Sequence, residues 1–168
     1  MDIRVALVNV DRLYFVDRTI ERLRGGQRWS HGALLVTEPG QETVWWDMHF
    51  RWLGSSLRHF PAKNYAWAYS IWRIPGLGAL GSERVHRWLL DHKRLVVNYD
   101  LPQCAWTFLL SWLGLQEEKN PWGYPNSYHC FELIAKALEV GGLHLPRDPS
   151  TMLGEDLVAS GLLTRLHQ

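Results

Sequence analysis

The chain has 168 residues, a length that predicts a single domain, residues 1–168, whose core needs neither disulfides nor metal ions. Apolar residues make up 46% of the sequence and charged residues 21%, as in ordinary globular proteins. Eighteen Lys and Arg oppose seventeen Asp and Glu, so no field of a single sign is available to hold a nucleic-acid backbone, and we expect no nucleic-acid partner.

The two cysteines, Cys104 and Cys130, form no disulfide framework and no zinc-binding pattern, which fits a reducing compartment. Residues 1–12 lack the long apolar core and the cleavage site of a secretory signal, so we expect no signal peptide; the location is cytoplasmic or stays open. The longest apolar run, residues 104–115, is about half the ~20 residues that a membrane span requires. It predicts a buried helix rather than a transmembrane segment.

The first part of the chain predicts three strands and one helix. Ile3–Val10 is rich in Val and Leu and predicts a strand, whereas Leu13–Arg24 carries apolar residues at helical spacing. His31–Thr37 and Glu42–Phe50 predict two further strands. The turn at residues 38–41 joins them, so these two strands should pair as a hairpin.

The middle of the chain is less regular. Arg51–Phe60 shows no clear pattern, and the aromatic segment Tyr65–Arg73 predicts a fourth strand. The Gly and Pro residues of Pro75–Gly81 predict a loop. Ser82 then stands where it would cap a helix over Glu83–Lys93.

The last third of the chain predicts helices over Gln103–Leu113, Tyr128–Val140 and Gly154–Ser160. A polar, turn-rich loop separates the first two helices, and Asn126 or Ser127 is placed to cap the second one. The whole pattern predicts an α+β fold in which a small antiparallel sheet packs with helices.

Cys130 is the first candidate for chemistry. It lies in the first turn of the helix predicted over Tyr128–Val140, on the same apolar stripe as Leu133 and Ile134. The helix dipole and the free amides of a first turn favour a thiolate, and a nearby base would keep it ready to react. The alternative interpretation is that Cys130 is a small hydrophobe that begins the core face of the helix.

His31 begins the second predicted strand, where a side chain either points into a cleft or lies at the boundary of the core. Asp47 and His49 fall on one side of the third strand, because alternate residues of a strand face the same way. If the hairpin pairs as predicted, Asp47 lies beside His31, where a carboxylate would orient the imidazole and stabilise its charge. His49 is the reserve for that role, and the alternative places both side chains in water.

Two short motifs and the order of the elements resemble a known family. Residues 30–34, Ser-His-Gly-Ala-Leu, resemble a Ser-His-Val-Gly-Ile motif, and residues 130–133, Cys-Phe-Glu-Leu, resemble a Cys-Ser-Glu-Leu motif. Both motifs belong to the permuted papain-like hydrolases, the YiiX-like branch of the NlpC-type superfamily, which is related to lecithin retinol acyltransferase. The resemblance spans nearly the whole chain, and residues 149–157 look like the family's tail.

The resemblance implies a cysteine hydrolase that cleaves an amide or ester bond through an acyl-enzyme. Cys130 would be the nucleophile, His31 its base and Asp47 the third polar residue, at a position where the family commonly has Glu. Tyr99 resembles a family tyrosine that supplies an oxyanion donor. The sequence departs from the family in the shorter reach of Asp47 and in Phe131, which replaces a small polar residue and would reshape the cleft.

The substrate stays open among peptides, peptidoglycan-like peptides and lipids, and a protein partner is possible. Ten Trp in the chain predict either a Trp-rich core or a docking, sugar or lipid site. The competing hypothesis is a non-catalytic module of the same fold that binds a partner within a larger assembly.

Other polar residues are given smaller roles. We expect no cofactor and no metal site, because His86 and His92 have no ligand spacing with an acidic or thiol side chain. Cys104 is predicted to be an inert buried thiol, and His129 a surface residue of the first helical turn. Glu132 is predicted to be structural, since it points away from Cys130 on the helix.

Overall fold

A computed structural model describes residues 1–9, 29–49, 55–62, 69–113, 115, 124 and 126–166. The strands in these ranges are β1 (Asp2–Asn9), β2 (Trp29–Thr37), β3 (Val44–Met48), β4 (Leu57–Pro61), β5 (Tyr69–Arg73), β6 (Asn98–Tyr99), β7 (Ser127–Tyr128) and β8 (Thr164–Arg165). The helices are α1 (Ala79–Lys93), α2 (Leu101–Trp112), α3 (Cys130–Val140) and α4 (Gly154–Ala159), with a 3-10 turn at Pro149–Thr151. The protein is therefore α+β, as the sequence predicts.

The main sheet has six antiparallel strands in the order β4-β3-β2-β1-β5-β8. β1 and β2 lie at its centre and are apolar on both faces, with Val5 and Leu7 in one hydrophobic cluster and Ala6 and Val8 in another. A two-stranded parallel pair, β6 and β7, stands apart from the sheet and connects the region before α2 to the region before α3.

Helix α3 packs closely across β2. Its apolar stripe, including Leu133 and Ile134, is fully buried. A Cβ atom at Gly32 would lie 2.6 Å from the Ile134 Cδ1 atom and 3.1 Å from the Phe131 ring. The absence of a side chain at Gly32, next to His31, is what allows the helix to approach this strand.

A β-bulge stands directly before His31. Val8 on β1 is opposite His31, but the next residue, Asn9, is opposite Trp29, so Ser30 is the extra residue on β2. Bulges bend a strand locally and redirect its side chains. This irregularity therefore helps to set the direction of the His31 side chain, which strand alternation alone would not predict.

The predicted hairpin is present, and Ala33 pairs with Asp47 across β2 and β3. On the other side of β3, Asp47 pairs with Arg58 of β4. Strand β4 occupies the later part of Arg51–Phe60, the segment that showed no clear pattern in the sequence.

Two helix starts differ from the sequence-based prediction. Helix α1 begins at Ala79 with Gly78 as its N-cap, so Ser82 is a buried residue inside the helix and makes no cap. Helix α3 begins at Cys130 rather than Tyr128, and its cap is His129 rather than Asn126 or Ser127. Ser127 and Tyr128 belong to β7, because their backbones pair with β6.

The apolar run 104–115, predicted to be a buried helix, is helical as far as Trp112 but is buried on one face only. Thr107 and Leu110 are buried, whereas Leu109 and Leu113 are 42% and 54% exposed. Among the described residues, none of the helices has the length and apolar character needed to cross a membrane.

The helix predicted over Leu13–Arg24 lies outside the described residues, as does the first part of the strand predicted over Tyr65–Arg73. Of the Trp residues that the structure describes, Trp29, Trp45, Trp46 and Trp72 are buried. These side chains support the interpretation of a Trp-rich core.

Candidate functional site

Cys130 is the first residue of helix α3 and is 4% exposed. The first amides of a helix have no partner within the helix. His129 N–H is satisfied by Glu132, and Glu132 N–H by the His129 ring. Among the residues that the structure describes, the N–H groups of Cys130 and Phe131 have no hydrogen-bond partner. Two backbone donors and the positive end of the helix dipole therefore lie next to the thiol.

His31 connects the thiol to the sheet. Its Nε2 atom lies 3.1 Å from Asp47 Oδ2, and its side chain is 26% exposed. Because Nε2 contacts the carboxylate, Nδ1 is the ring nitrogen left for the Cys130 thiol, which acts on the pKa of His31. The imidazole contacts Asp47 directly and is the most exposed of the three candidate residues.

Asp47 is 2% exposed and is held from two sides. Arg58 donates from Nε to Oδ1 at 2.9 Å and from its terminal nitrogen to Oδ2 at 2.7 Å, the paired geometry that guanidinium and carboxylate groups favour. Burial by itself would raise the pKa of Asp47, but the hydrogen bonds from His31 and Arg58 lower it to about 2. The carboxylate is therefore ionised at neutral pH, and its reach to His31 is sufficient despite its short side chain.

Arg58 is not among the residues that the sequence singles out. It lies in Arg51–Phe60, a segment whose sequence shows no clear pattern. Its pairing with Asp47 depends on the β3–β4 register, which that segment does not reveal.

The charges of Cys130 and His31 stabilise one another. Burial raises the pKa of the Cys130 thiol, but the charge of His31, hydrogen bonds with His129 and His31, and the charge of His129 lower it to about 5. Burial lowers the pKa of an imidazole, but the charge of Cys130 and hydrogen bonds with Asp47 and Cys130 raise the pKa of His31 to about 10. These shifts favour a thiolate–imidazolium pair, which would titrate as a unit.

Tyr99 lies at the end of β6, beside both thiols of the chain. Its hydroxyl is 3.7 Å from Cys104 Sγ. Burial, the charges of Cys130 and Cys104, and hydrogen bonds with both thiols raise the pKa of Tyr99 above its ordinary value. The phenol therefore stays protonated and remains a hydrogen-bond donor next to Cys130. Cys104 is half-buried, so the prediction of a buried thiol is wrong.

His129 is 1% exposed, so the prediction that it lies on the surface is wrong. Its Nδ1 accepts from Glu132 N–H at 3.3 Å, and its Nε2 donates to the Ser150 carbonyl at 3.2 Å. Both contacts fit a neutral imidazole, because an Nδ1 that accepts carries no proton. His129 thus fixes the start of α3, and Glu132 completes the capping box as the structural residue that the sequence indicated.

Phe131 does not reshape the cleft, contrary to the sequence-based expectation. Its ring is fully buried between Gly32 and Gly154, where added Cβ atoms would lie 3.1 Å and 3.0 Å from it. A residue in this position contacts the core and cannot meet a substrate. His49, the reserve candidate, is exposed at the end of β3, and Asp47 is the residue that contacts His31.

Two other features bear on binding. Within the described ranges, no three His, Cys, Asp or Glu side chains come together as the ligands of a metal ion would. A groove between α1 and the strands β3 and β4, lined in part by Trp46, His59 and His86, includes none of the three candidate residues.

The arrangement of Cys130, His31 and Asp47 is suited to nucleophilic attack by a thiolate. Comparison with known proteins adds no family to this description. No protein-family model matches the chain, and no curated protein matches it.

Proposed function

We propose that the protein is a cysteine hydrolase that cleaves an amide or ester bond, with Cys130 as nucleophile, His31 as acid and base, and Asp47 as the residue that orients His31. The observation that carries the proposal is the convergence of these three side chains from α3, β2 and β3, with His31 Nε2 3.1 Å from Asp47 Oδ2. The arrangement matches the resemblance of the two motifs to permuted papain-like hydrolases.

In the first half of the reaction, the Cys130 thiolate attacks the carbonyl carbon, and the C=O electron pair moves onto oxygen. The N–H of Cys130, at the start of α3, donates to that oxyanion, and the Tyr99 hydroxyl is the second donor. When the tetrahedral intermediate collapses, the His31 imidazolium gives its proton to the leaving nitrogen or oxygen. The products are an acyl-thioester on Cys130 and a free amine or alcohol.

In the second half, neutral His31 takes a proton from water as the water oxygen attacks the thioester carbon. Collapse of this intermediate releases the carboxylic acid and restores the thiolate–imidazolium pair. An alcohol or amine in place of water would make the same site an acyltransferase. Peptides, peptidoglycan-like peptides and lipids all carry bonds of this class.

The first test is the alkylation of Cys130 by iodoacetamide at pH 6, followed by peptide mass spectrometry, with Cys104 as the internal reference thiol. We expect Cys130 to react about tenfold faster than an ordinary thiol with a pKa of about 8.5. At pH 6 the thiolate fraction of Cys130 should be roughly 300-fold larger than that of an ordinary thiol. A sulfur with a low pKa is a weaker nucleophile, and this offsets part of the gain. His31→Ala should abolish the advantage.

Ultraviolet titration of the thiolate in wild type and Cys130→Ala provides a second readout that does not depend on reagent access. If both measurements give an ordinary thiol pKa for Cys130, the catalytic proposal for the free chain is wrong. A non-catalytic module that binds a partner would then be the better hypothesis. If the thiolate is present, peptide, peptidoglycan and lipid ester substrates are screened next.

A further inference from the structure

Both cysteines of the chain are neighbours of the Tyr99 side chain. The Sγ atom of Cys104, on α2, lies 3.7 Å from the Tyr99 hydroxyl oxygen. The charge of Cys130 raises the pKa of the same phenol, so this thiol also lies within electrostatic reach of Tyr99. Cys104 is half-buried, whereas Cys130 is 4% exposed. The candidate nucleophile and a second, more accessible thiol therefore meet at one tyrosine.

The backbone brings the helices that carry these thiols together at their starts. Strands β6 and β7 pair directly, with Asn98 opposite Ser127 and Tyr99 opposite Tyr128. Paired strands lie about 4.8 Å apart. The Asp100 N–H donates to the Tyr128 carbonyl at 3.1 Å, which continues the pairing to the residue before α2. Because β6 leads into α2 and β7 into α3, the two helices start side by side.

The residues that precede the two cysteines hold these helix starts together. Gln103 Nε2 donates to the Ser150 carbonyl at 3.1 Å, and His129 Nε2 donates to the same oxygen at 3.2 Å. All three residues are buried. Cys104 follows Gln103 and Cys130 follows His129, so a shared acceptor ties together the two backbone segments that carry the thiols.

The second thiol has no part in the proposed hydrolysis, neither half of which requires it. A stabilised thiolate is, however, the form of cysteine that hydroperoxides oxidise. Cysteines that sense oxidants combine such a thiolate with a resolving cysteine close by. This chain has both parts: Cys130, whose thiolate the charge of His31 favours, and the more accessible Cys104.

We propose that Cys104 is a resolving cysteine, which closes a disulfide with Cys130 after a hydroperoxide has oxidised Cys130 to a sulfenic acid. This role uses the thiolate of the proposed hydrolysis but needs no substrate. In the first step, the Cys130 sulfur attacks one oxygen of hydrogen peroxide, and the O–O bond breaks. The departing hydroxide takes the proton of the His31 imidazolium, which leaves the sulfenic acid and one water.

In the second step, the Cys104 sulfur attacks the Cys130 sulfur, and the S–O bond of the sulfenic acid breaks. The departing hydroxide leaves as water with the thiol proton of Cys104, so one peroxide is reduced and two thiols are oxidised. The S–S bond is about 2.05 Å long, so the thiols turn toward one another as it forms, and Tyr99 moves aside. The disulfide blocks the nucleophile reversibly and prevents its irreversible oxidation to sulfinic acid.

The experiment exposes the full chain to a small molar excess of hydrogen peroxide at pH 7. Remaining thiols are blocked with N-ethylmaleimide, and the chain is digested with trypsin without reduction. Lys119 lies between the two cysteines in sequence, so a disulfide joins two separate peptides. We expect mass spectrometry to find this linked pair in most molecules, on a chain that runs as a monomer. Dithiothreitol should then restore the labelling of Cys130 by iodoacetamide.

Two matched variants, Cys104→Ser and Cys130→Ser, each replace one sulfur by oxygen. In Cys104→Ser the sulfenic acid has no resolving thiol and passes to sulfinic acid. Recovery of Cys130 labelling after dithiothreitol should therefore fall by about tenfold relative to wild type. In Cys130→Ser, Cys104 should stay reduced, because the thiol that reacts with peroxide is gone.

Three results would overturn the proposal: no linked pair in wild type, a link between two chains instead of within one, or full recovery of Cys130 labelling in Cys104→Ser. The wild-type measurement is decisive by itself if a variant fails to fold. Alkylation at pH 6 measures the thiolate separately. An ordinary Cys130 thiol would remove the hydrolysis and the resolving role together, whereas a thiolate without a linked pair would remove only the resolving role of Cys104.

Discussion

The carboxylate of Asp47 accepts hydrogen bonds from two cationic side chains, and this explains how a short residue can occupy the third position of the site. Strand β3 lies between β2 and β4, so Asp47 has His31 on one side and Arg58 directly opposite on the other. Arg58 keeps the carboxylate ionised and limits its rotation, because a paired guanidinium contact fixes both oxygens. We therefore assign Arg58 a positioning role, acting on His31 through Asp47.

Asp47→Asn should weaken the thiolate without removing either reacting group. Asn keeps the shape of the side chain but not its charge, so the imidazolium at His31 is less stable and the pKa of the Cys130 thiol rises. We expect ultraviolet titration of the thiolate to show a Cys130 pKa about one unit higher than in wild type.

Arg58→Lys is the comparison variant for this prediction. A lysine keeps the positive charge but loses the paired contact, so its effect on the Cys130 pKa should be smaller than that of Asp47→Asn. An unchanged Cys130 pKa in Asp47→Asn would mean that the carboxylate does not support the ion pair.

At the scale of elements, the approach of α3 to β2 depends on Gly32. Gly32→Ala should destabilise the fold by about 1–3 kcal/mol, because its Cβ would lie 2.6 Å from Ile134 Cδ1. Adding Ile134→Val removes that methyl group and should restore part of the loss. Gly78→Ala is the control, since nothing lies within 4 Å of an added Cβ there. Urea unfolding of the four proteins measures the effect, and a neutral Gly32→Ala would contradict the packing.

The start of α3 depends on the side chain of His129. His129→Ala should cost about 1–2 kcal/mol, because the helix loses its cap. His129→Asn shrinks the buried side chain in a similar way but keeps a capping oxygen, so it should be the milder change. Equal unfolding free energies for the two variants would show that the contact with Glu132 N–H contributes nothing.

The sequence located the elements around the site better than it located their ends. The hairpin of β2 and β3 follows from apolar segments separated by a turn, and α3 follows from the spacing of its apolar residues. The cap of α3 was misplaced because Asn126 and Ser127 have stronger intrinsic capping preferences than His129. Pairing of β7 with β6 overrides that preference, since it holds Ser127 and Tyr128 in an extended conformation.

For the molecule as a whole, the ion pair makes a specific prediction about stability and pH. The raised pKa of His31 contributes stability that is complete below pH 6.5 and is lost as the pH rises through about 10. The lowered pKa of Cys130 contributes stability that is complete above pH 9.0 and is lost as the pH falls through about 5. Between pH 6.5 and 9.0 the contribution of His31 to the unfolding free energy falls with pH as fast as that of Cys130 rises, so the two changes cancel.

The contribution of the pair to the unfolding free energy should therefore form a plateau from pH 6.5 to 9.0 and decline toward pH 5 and toward pH 10. The measurement compares wild type with His31→Gln/Cys130→Ser by chemical unfolding across this range, because subtraction removes the other titrating groups. A difference curve that slopes steadily through neutral pH would rule out the ion pair.

The sequence by itself determined the α+β class, the hairpin that carries His31 and Asp47, and the helix that begins near Cys130. These features depend on the local spacing of apolar and turn residues, which can be read directly from the sequence. Only the tertiary structure decided that Arg58 holds Asp47, that Phe131 is buried between two glycines, and that α2 is buried on one face only. Each of these depends on contacts between segments far apart in sequence, where burial and hydrogen bonding override the preference of a single residue.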